Sequence, residues 1–426
     1  MRFIVMLVLV LVGLSSGAQA ATDDKQALDY WLARVPEREQ VLMNGAEIAQ
    51  YNEELRGKQP TVVYDLLRYP SQVPGTALKQ WLSECQMPEG YVNGQPMASE
   101  WKRQVMLRIN TDKVKPMNTV EYGLITVRSH VRAVPTATPI FESATDKEFD
   151  QNQSTILNPG EGVVILQRSP DGLWLFVQSE NYRGWLSADV VAVASDRKVW
   201  QEYLAAEHFI VVTGSKLSLT LDGRTVLLEM GSQLPLAKKE DASVHTVLLP
   251  KRDATGGVIF TEYRLAANAD VQVGYLPYTT ENVLRQAFKF KGQPYGWGGL
   301  KDSVDCSSLI MDVYRTFGFR LPRDADQQEA SIGKNYPVAS SGAAAVLDTV
   351  RSGSTLYMPG HTMLYLGKAD GLYYVIHSLG SSGAPDKFGK YQRVPVMQVV
   401  VSDLSLKRKT GRPFIDGLTT VKEIMQ

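Results

Sequence analysis

The chemistry this chain can perform is concentrated in a few residues. It has two cysteines, Cys85 and Cys306, and five histidines, His130, His208, His245, His361 and His377. Cys306 follows Asp305 and opens a helical pattern in which Leu309, Ile310, Val313 and Phe317 recur until Gly318. Asp305 suits the N-cap. A thiol in the first turn faces unpaired N–H groups and the positive end of the helix dipole, and both favour the thiolate. The pattern points to covalent catalysis by Cys306, which requires a base to take its proton and return it to a leaving group. His361 follows Met358-Pro359-Gly360 and begins the apolar run Thr362-Met-Leu-Tyr-Leu366, at a strand entrance where an imidazole can face a helix terminus. His377 closes the next apolar run. Pairing of the two runs would let His377 orient His361, a task that Asn, Gln or a carboxylate performs equally well.

The elements that must hold these groups read as an α+β unit over residues 279–426. Val283, Leu284, Ala287 and Phe288 mark one helix, the cysteine helix follows, and residues 355–366 and 372–376 read as strands joined by the Asp370-Gly371 turn. Upstream, residues 123–195 alternate short β-rich runs with turns such as Pro170-Asp-Gly172, the signature of a small barrel. Residues 196–278 form a second β-rich stretch, read as a divergent copy of the first without a strict repeat. Residues 21–122 are mainly helical: Leu28, Trp31, Leu32 and Val35 share a face that ends at Pro36, and Ile48, Tyr51, Asn52 and Leu55 share another. That region is expected to wrap the other domains rather than act alone.

Arg2, the apolar run from Phe3 to Leu14 and Ala18-Gln19-Ala20 have the layout of a secretory signal over residues 1–20, cut after Ala20. The run is far below the roughly 20 residues of a membrane span, and no cysteine near the cut suggests a lipid anchor. Export to the periplasm without a membrane anchor is therefore expected. A length of 426 residues fits two to four domains, and a hydrophobic fraction of 44% fits packed ones. Lys plus Arg equals Asp plus Glu at 45 each, which gives no footing for nucleic acid or an acidic membrane as partner. The oligomeric state has no signature in the sequence. Cys85, in Trp81-Leu-Ser-Glu-Cys85, reads as a small packed residue rather than the disulfide partner of Cys306. Trp174 and Trp185 read as barrel core, and Lys407-Arg408-Lys409 as solvated surface. The glycines at 296–299 lack the lysine and spacing of a phosphate loop. No metal or organic cofactor is called for.

Pro294-Tyr-Gly-Trp-Gly-Gly299, Asp305-Cys306-Ser307, Leu321-Pro-Arg-Asp324, Gly360-His361 and Ile376-His377 together resemble the NlpC family of papain-like bacterial cell-wall cysteine peptidases, over roughly residues 280–400. The two β-rich stretches resemble the bacterial SH3-like barrels that precede this domain in some members, and the helical region resembles their accessory segment. The fold implied is thus a papain-like α+β domain preceded by two small barrels and a helical N-terminal region. The resemblance implies hydrolysis of murein peptides, typically between γ-D-glutamyl and a diamino acid such as meso-diaminopimelate. It gives Cys306 the nucleophile's place, His361 the base's and His377 the orienting position. Tyr295 matches a tyrosine that stabilises the oxyanion alongside the Cys306 N–H. Asp305 and Ser307 match residues lining the substrate pocket, and Arg323 and Asp324 a polar pair close to it. Ser308 departs from the glycine of many members while staying small. In relatives with a barrel beside the site, the pocket closes around a free N-terminal L-alanine. A buried ammonium needs acidic and hydroxyl partners, for which Asp305, Tyr182 and an acid among Glu142, Asp146, Glu148 and Asp150 are candidates. Two rival readings are a catalytically idle cell-wall binding protein, and a thiol amidase or transpeptidase acting on another amide.

Overall fold

A computed structural model describes residues 24–237, 243–268 and 270–425; the expected signal over residues 1–20 lies outside them. The fold combines helices and strands, and among the described residues no helix is long and apolar enough to cross a membrane.

Seven short strands between Glu121 and Val193 form one sheet in the order Val191–Val193, Glu121–Ile125, Gly162–Arg168, Trp174–Gln178, Arg183–Ser187, Ser129–Arg132, Gln153–Leu157. All its pairings are antiparallel. Val163, Ile165, Leu175, Val177 and Leu186 close its interior. The alternate residues Val164, Leu166, Trp174, Phe176 and Trp185 pack outward on Leu66, Leu78, Leu82, Trp200 and Tyr203. Burial on both faces explains why these strands read as continuous apolar runs rather than alternating ones.

Among the described residues, the second β-rich stretch comprises three small sheets around a core of its own. One sheet joins Phe209–Val212, Gln233–Pro235 and Val271–Val273; two hairpins join Lys216–Leu221 to Arg224–Glu229 and Val244–Arg252 to Val258–Ala266. Asp222 and Gly223 turn the first hairpin at φ 50° and 73°, the left-handed pair that a two-residue hairpin demands.

The last domain is a six-stranded antiparallel sheet in the order Lys334–Pro337, Thr420–Glu423, Thr355–Met358, His361–Ala369, Leu372–Pro385, Tyr391–Asp403. The single strand expected over 355–366 is two strands. Pro359 has no N–H for the ladder and Gly360 takes φ 75°, so the chain reverses and His361 pairs back onto Met358. The strand expected over 372–376 continues to Pro385, held by its long pairing with Tyr391–Asp403. The cysteine helix, Cys306–Arg315, lies on this sheet, with Leu309, Ile310 and Val313 in one core with Leu364, Leu366, Ile376 and Val399.

The N-terminal region divides between neighbours. Asn44 and Glu47 form a capping box that starts the helix Gly45–Lys58, whose buried residues Ile48, Tyr51, Asn52 and Leu55 enter the core of the last domain. Val41–Met43 also pairs with Tyr278–Thr279. Residues 66–82 pack on the first barrel instead. The helical reading of residues 21–122 is incomplete: around Pro70 and Pro74 the chain is extended, and Gln72–Pro74 pairs with Met117–Thr119.

Candidate active site

The cysteine helix begins with a second capping box. Asp305 Oδ1 accepts the Ser308 N–H at 2.9 Å, and Ser308 Oγ accepts the Asp305 N–H at 2.9 Å. Ser308, the departure from glycine, therefore does something glycine cannot. Asp305 Oδ2 accepts the Gly298 N–H at 3.0 Å and Arg323 Nη2 at 2.6 Å, while Arg323 Nη1 donates to Ser307 Oγ at 2.9 Å. Arg323 Nε reaches Thr155 Oγ1 of the barrel at 2.7 Å. Burial pushes the Asp305 carboxyl up, but Arg323 and the Ser308 donors outweigh it and hold it below the usual carboxylate range.

The helix start was expected to favour a thiolate. The resting site does the opposite. Burial raises the Cys306 thiol to about 12, with the Asp305 carboxylate adding to it; Thr362 N–H, Arg323 and Ser307 N–H offset only part. The helix-dipole effect is smaller than the desolvation of a buried charge. The thiol proton must therefore leave during the reaction, to a base. The Thr362 N–H directed at Cys306 puts the sulfur at the start of the His361–Ala369 strand.

His361 Nε2 lies 2.8 Å from His377 Nδ1, and His377 Nε2 lies 3.1 Å from Ser402 Oγ. A base at His361 requires the tautomer in which each Nε2–H donates along this chain. His361 Nδ1 then carries the free lone pair. Phe414 meets both rings edge-on, each at 6.0 Å. Burial lowers His361 to about 4, and burial together with His361 lowers His377 well below the ordinary value. Both rings are neutral in the native state and take up protons on unfolding. The stability this confers is complete above pH 6.5 and is lost as pH falls toward 4. Thermal melts across that window are expected to show the midpoint falling with acid, and a smaller fall in His377→Gln.

Tyr295 is buried with its ring 6.0 Å from Phe149. Burial, then the neighbouring Cys306 thiol and Asp305 carboxylate, raise its phenol, so it stays protonated as a donor beside the sulfur. Tyr182 comes from the barrel to the same place. Burial and Asp324 raise its phenol, which also interacts with Ser154, Arg323 and Asp305. The Asp324 carboxyl is raised by burial, against the pull of Arg323, and among the described residues has no side-chain hydrogen bond where it precedes the helix Ala325–Ala330.

The structure thus brings Cys306, His361, His377, Tyr295, Asp305, Ser307, Arg323, Asp324 and Tyr182 into one locality. It redistributes them. Asp305, Ser307 and Arg323 are buried and bound to each other, so they form the frame of the site and offer no free charge.

The acidic stretch is not the expected source of an ammonium partner. Asp150 is buried, paired with Arg132 at 2.8 Å and bonded to the N–H groups of Ile140 and Asn152. Glu148 pairs with Lys301, Asp146 caps its own turn, and Glu142 is exposed. What this stretch contributes is Phe149, packed on Tyr295 and 5.5 Å from Trp297. Phe149, Ser402 and Phe414 carried no signal in the sequence, because each reaches the site only through contacts between distant segments. Both cysteines are free thiols, and Cys85 is a half-buried one that burial raises to about 11.

Residues 292–384 match the NlpC/P60 family and residues 139–187 match an SH3 domain of the SH3b1 type. An NlpC/P60 endopeptidase from Photobacterium damselae subsp. piscicida superposes with a TM-score of 0.72 over 92% of this chain and 96% of that chain, at 18% identity. An NlpC/P60 family protein from Bacillus cereus ATCC 10987 superposes with a TM-score of 0.51, covering 72% of this chain and 100% of that one, at 16% identity. At such identities the likeness shows the fold. Dipeptidyl-peptidase 6 of Lysinibacillus sphaericus is 34% identical over 103 residues, 24% of this chain and 34% of the relative. The gamma-D-glutamyl-L-lysine dipeptidyl-peptidase of Bacillus subtilis (strain 168) is 29% identical over 118 residues, 26% of this chain and 36% of the relative. The chain spans about a third of the length of these curated relatives.

Proposed function

We propose that this chain, which carries an NlpC/P60 domain behind an SH3b-type domain, is a cysteine endopeptidase of murein peptides, cutting the γ-D-glutamyl–diamino acid bond. The observation that carries the reading is the chain of contacts His361–His377–Ser402, at the start of the strand whose Thr362 N–H is directed at Cys306. Cys306 Sγ attacks the γ-glutamyl carbonyl as its proton passes to His361 Nδ1. The carbonyl oxygen takes the negative charge, met by the Cys306 N–H and the Tyr295 hydroxyl. Collapse of this intermediate breaks the C–N bond, His361 returns the proton to the leaving amine, and a thioester remains. Water, deprotonated by His361, then displaces the sulfur and restores the thiol.

Specificity for a free N-terminal L-alanine is assigned to Asp324 and Tyr182, because Asp305 is already neutralised by Arg323. A carboxylate without a side-chain hydrogen bond beside a protonated phenol suits an ammonium. Acetylation of that amine is expected to lower kcat/KM by roughly 10- to 100-fold, and Asp324→Asn to lower it on the free amine but not on the acetylated peptide. Export to the periplasm belongs to the same reading.

Mass spectrometry of products from defined muropeptides tests it. A single cut between γ-D-glutamate and the diamino acid supports the endopeptidase. Exchange of the acyl group onto an added amine would make the protein a transpeptidase. Inertness on every murein peptide, with binding retained, would leave the cell-wall binding protein.

A further inference from the structure

We infer that Arg393 reads a substrate carboxylate flanking the scissile amide. The inference rests on the peptidase reading above and extends it to a residue in none of the motifs that define the site. Arg393 lies on the Tyr391–Asp403 strand, opposite Gly383 of Leu372–Pro385, on the hairpin that runs past Tyr295. The Tyr295 N–H donates to Met397 O of that strand at 2.9 Å. A Cβ at Gly380 would lie 3.5 Å from Phe149 and 3.7 Å from the Tyr295 ring, so this stretch of the hairpin is part of the wall of the site.

The Arg393 guanidinium sits 4.9 Å over the Phe149 ring, and Nε donates to Ser381 Oγ at 2.8 Å. Two contacts orient the fork, and neither neutralises it. Other arginines close to the site are spent in ion pairs: Arg323 with Asp305, Arg132 with Asp150, Arg128 with Glu229. Arg393 has no carboxylate within ion-pair distance among the described residues, and its Nη groups make no hydrogen bond there. Its charge nevertheless reaches the Tyr295 phenol, where it opposes the raising effect of the Asp305 carboxylate.

A preoriented, unpaired guanidinium on an aromatic face is a receptor for a planar anion. The proposed substrate supplies one. A γ-linked glutamyl residue keeps its α-carboxylate, and the diamino acid keeps its own, each a few bonds from the amide that is cut. Lys387 and Lys390 at the tip of the hairpin, and Lys407 and Lys409 in the segment whose Lys407 O accepts the Gly383 N–H, also lack carboxylate partners among the described residues.

The test uses wild type, Arg393→Gln and Arg393→Lys against three peptides: the parent, the same peptide with the glutamyl α-carboxylate as a carboxamide, and the same peptide with the diamino acid carboxylate amidated. Wild type is expected to lose roughly 10-fold or more in kcat/KM on one of the two amides. Arg393→Gln is expected to show the same loss on the parent, mainly in KM, and no further loss on that amide. Arg393→Lys falls between. Which amide matches identifies the carboxylate. Equal losses on all three peptides, or none, overturn the role of Arg393 while leaving the peptidase intact. Should wild type cleave no peptide, the peptidase reading fails first; calorimetric binding of the same peptides then decides Arg393, and equal affinities in wild type and Arg393→Gln reject it.

Discussion

Cys306→Ala is expected to lower murein peptide hydrolysis by at least about four orders of magnitude, because it removes the atom that forms the thioester. The variant should remain folded. The helix start is held by Asp305, Ser308 and Arg323, none of which uses the sulfur as its partner. Peptide binding should survive as well, since the ammonium is assigned to Asp324 and Tyr182 and alanine keeps the backbone N–H assigned to the oxyanion. Single-turnover product formation followed by mass spectrometry, beside calorimetric titration with uncut peptide, separates the two effects. Residual turnover within tenfold of wild type would remove the covalent mechanism. The raised thiol adds a second expectation. Alkylation of Cys306 by a small reagent should be slow in the resting protein near neutral pH, since the reactive thiolate is scarce.

Arg323→Met is expected to be the most destabilising single change at the site. It leaves Asp305 buried without its countercharge, a situation that costs about 3–5 kcal/mol. It also cuts the bond from Arg323 Nε to Thr155, which ties the cysteine helix to the barrel. Urea unfolding reads the loss as a lower midpoint. The double variant Asp305→Asn with Arg323→Met should recover part of the stability, because no buried charge is then left unpaired. If the single variant were as stable as wild type, the ion pair could not be the frame of the helix start. Activity should fall in the double variant even where stability returns, since a neutral amide holds the Gly298 and Ser308 N–H groups less firmly than a carboxylate.

Much of this site was legible in the chain because it is written in local code. Asp305 before an apolar 3.6-residue period marks a capped helix wherever it packs, and the structure starts the helix at Cys306. Ile48, Tyr51, Asn52 and Leu55 are the buried residues of their helix for the same reason. The break at Pro359-Gly360 is equally local: the turn before His361 marks it, and only the apolar run that continues across it suggests one strand over 355–366.

Other properties had no local sign. Asp305 looks like an ammonium ligand until Arg323, 18 positions on, is found bonded to both of its oxygens. The thiol looks poised as a thiolate until burial and that same carboxylate are set against the helix dipole. Phe149 and Tyr182 of the barrel, with Arg393 on a hairpin of the last domain, join the site only when distant surfaces meet.

The sequence by itself marked Cys306, His361 and His377 as candidates for nucleophile, base and orienting group, and indicated the kind of domain that holds them, since caps, turns and periodicity are short-range consequences of backbone geometry. Only the tertiary structure decided which charges are spent and which remain to meet a substrate. Protonation and pairing follow from the solvent excluded and the countercharges gathered when separate segments close together, and no stretch of a few residues carries that information.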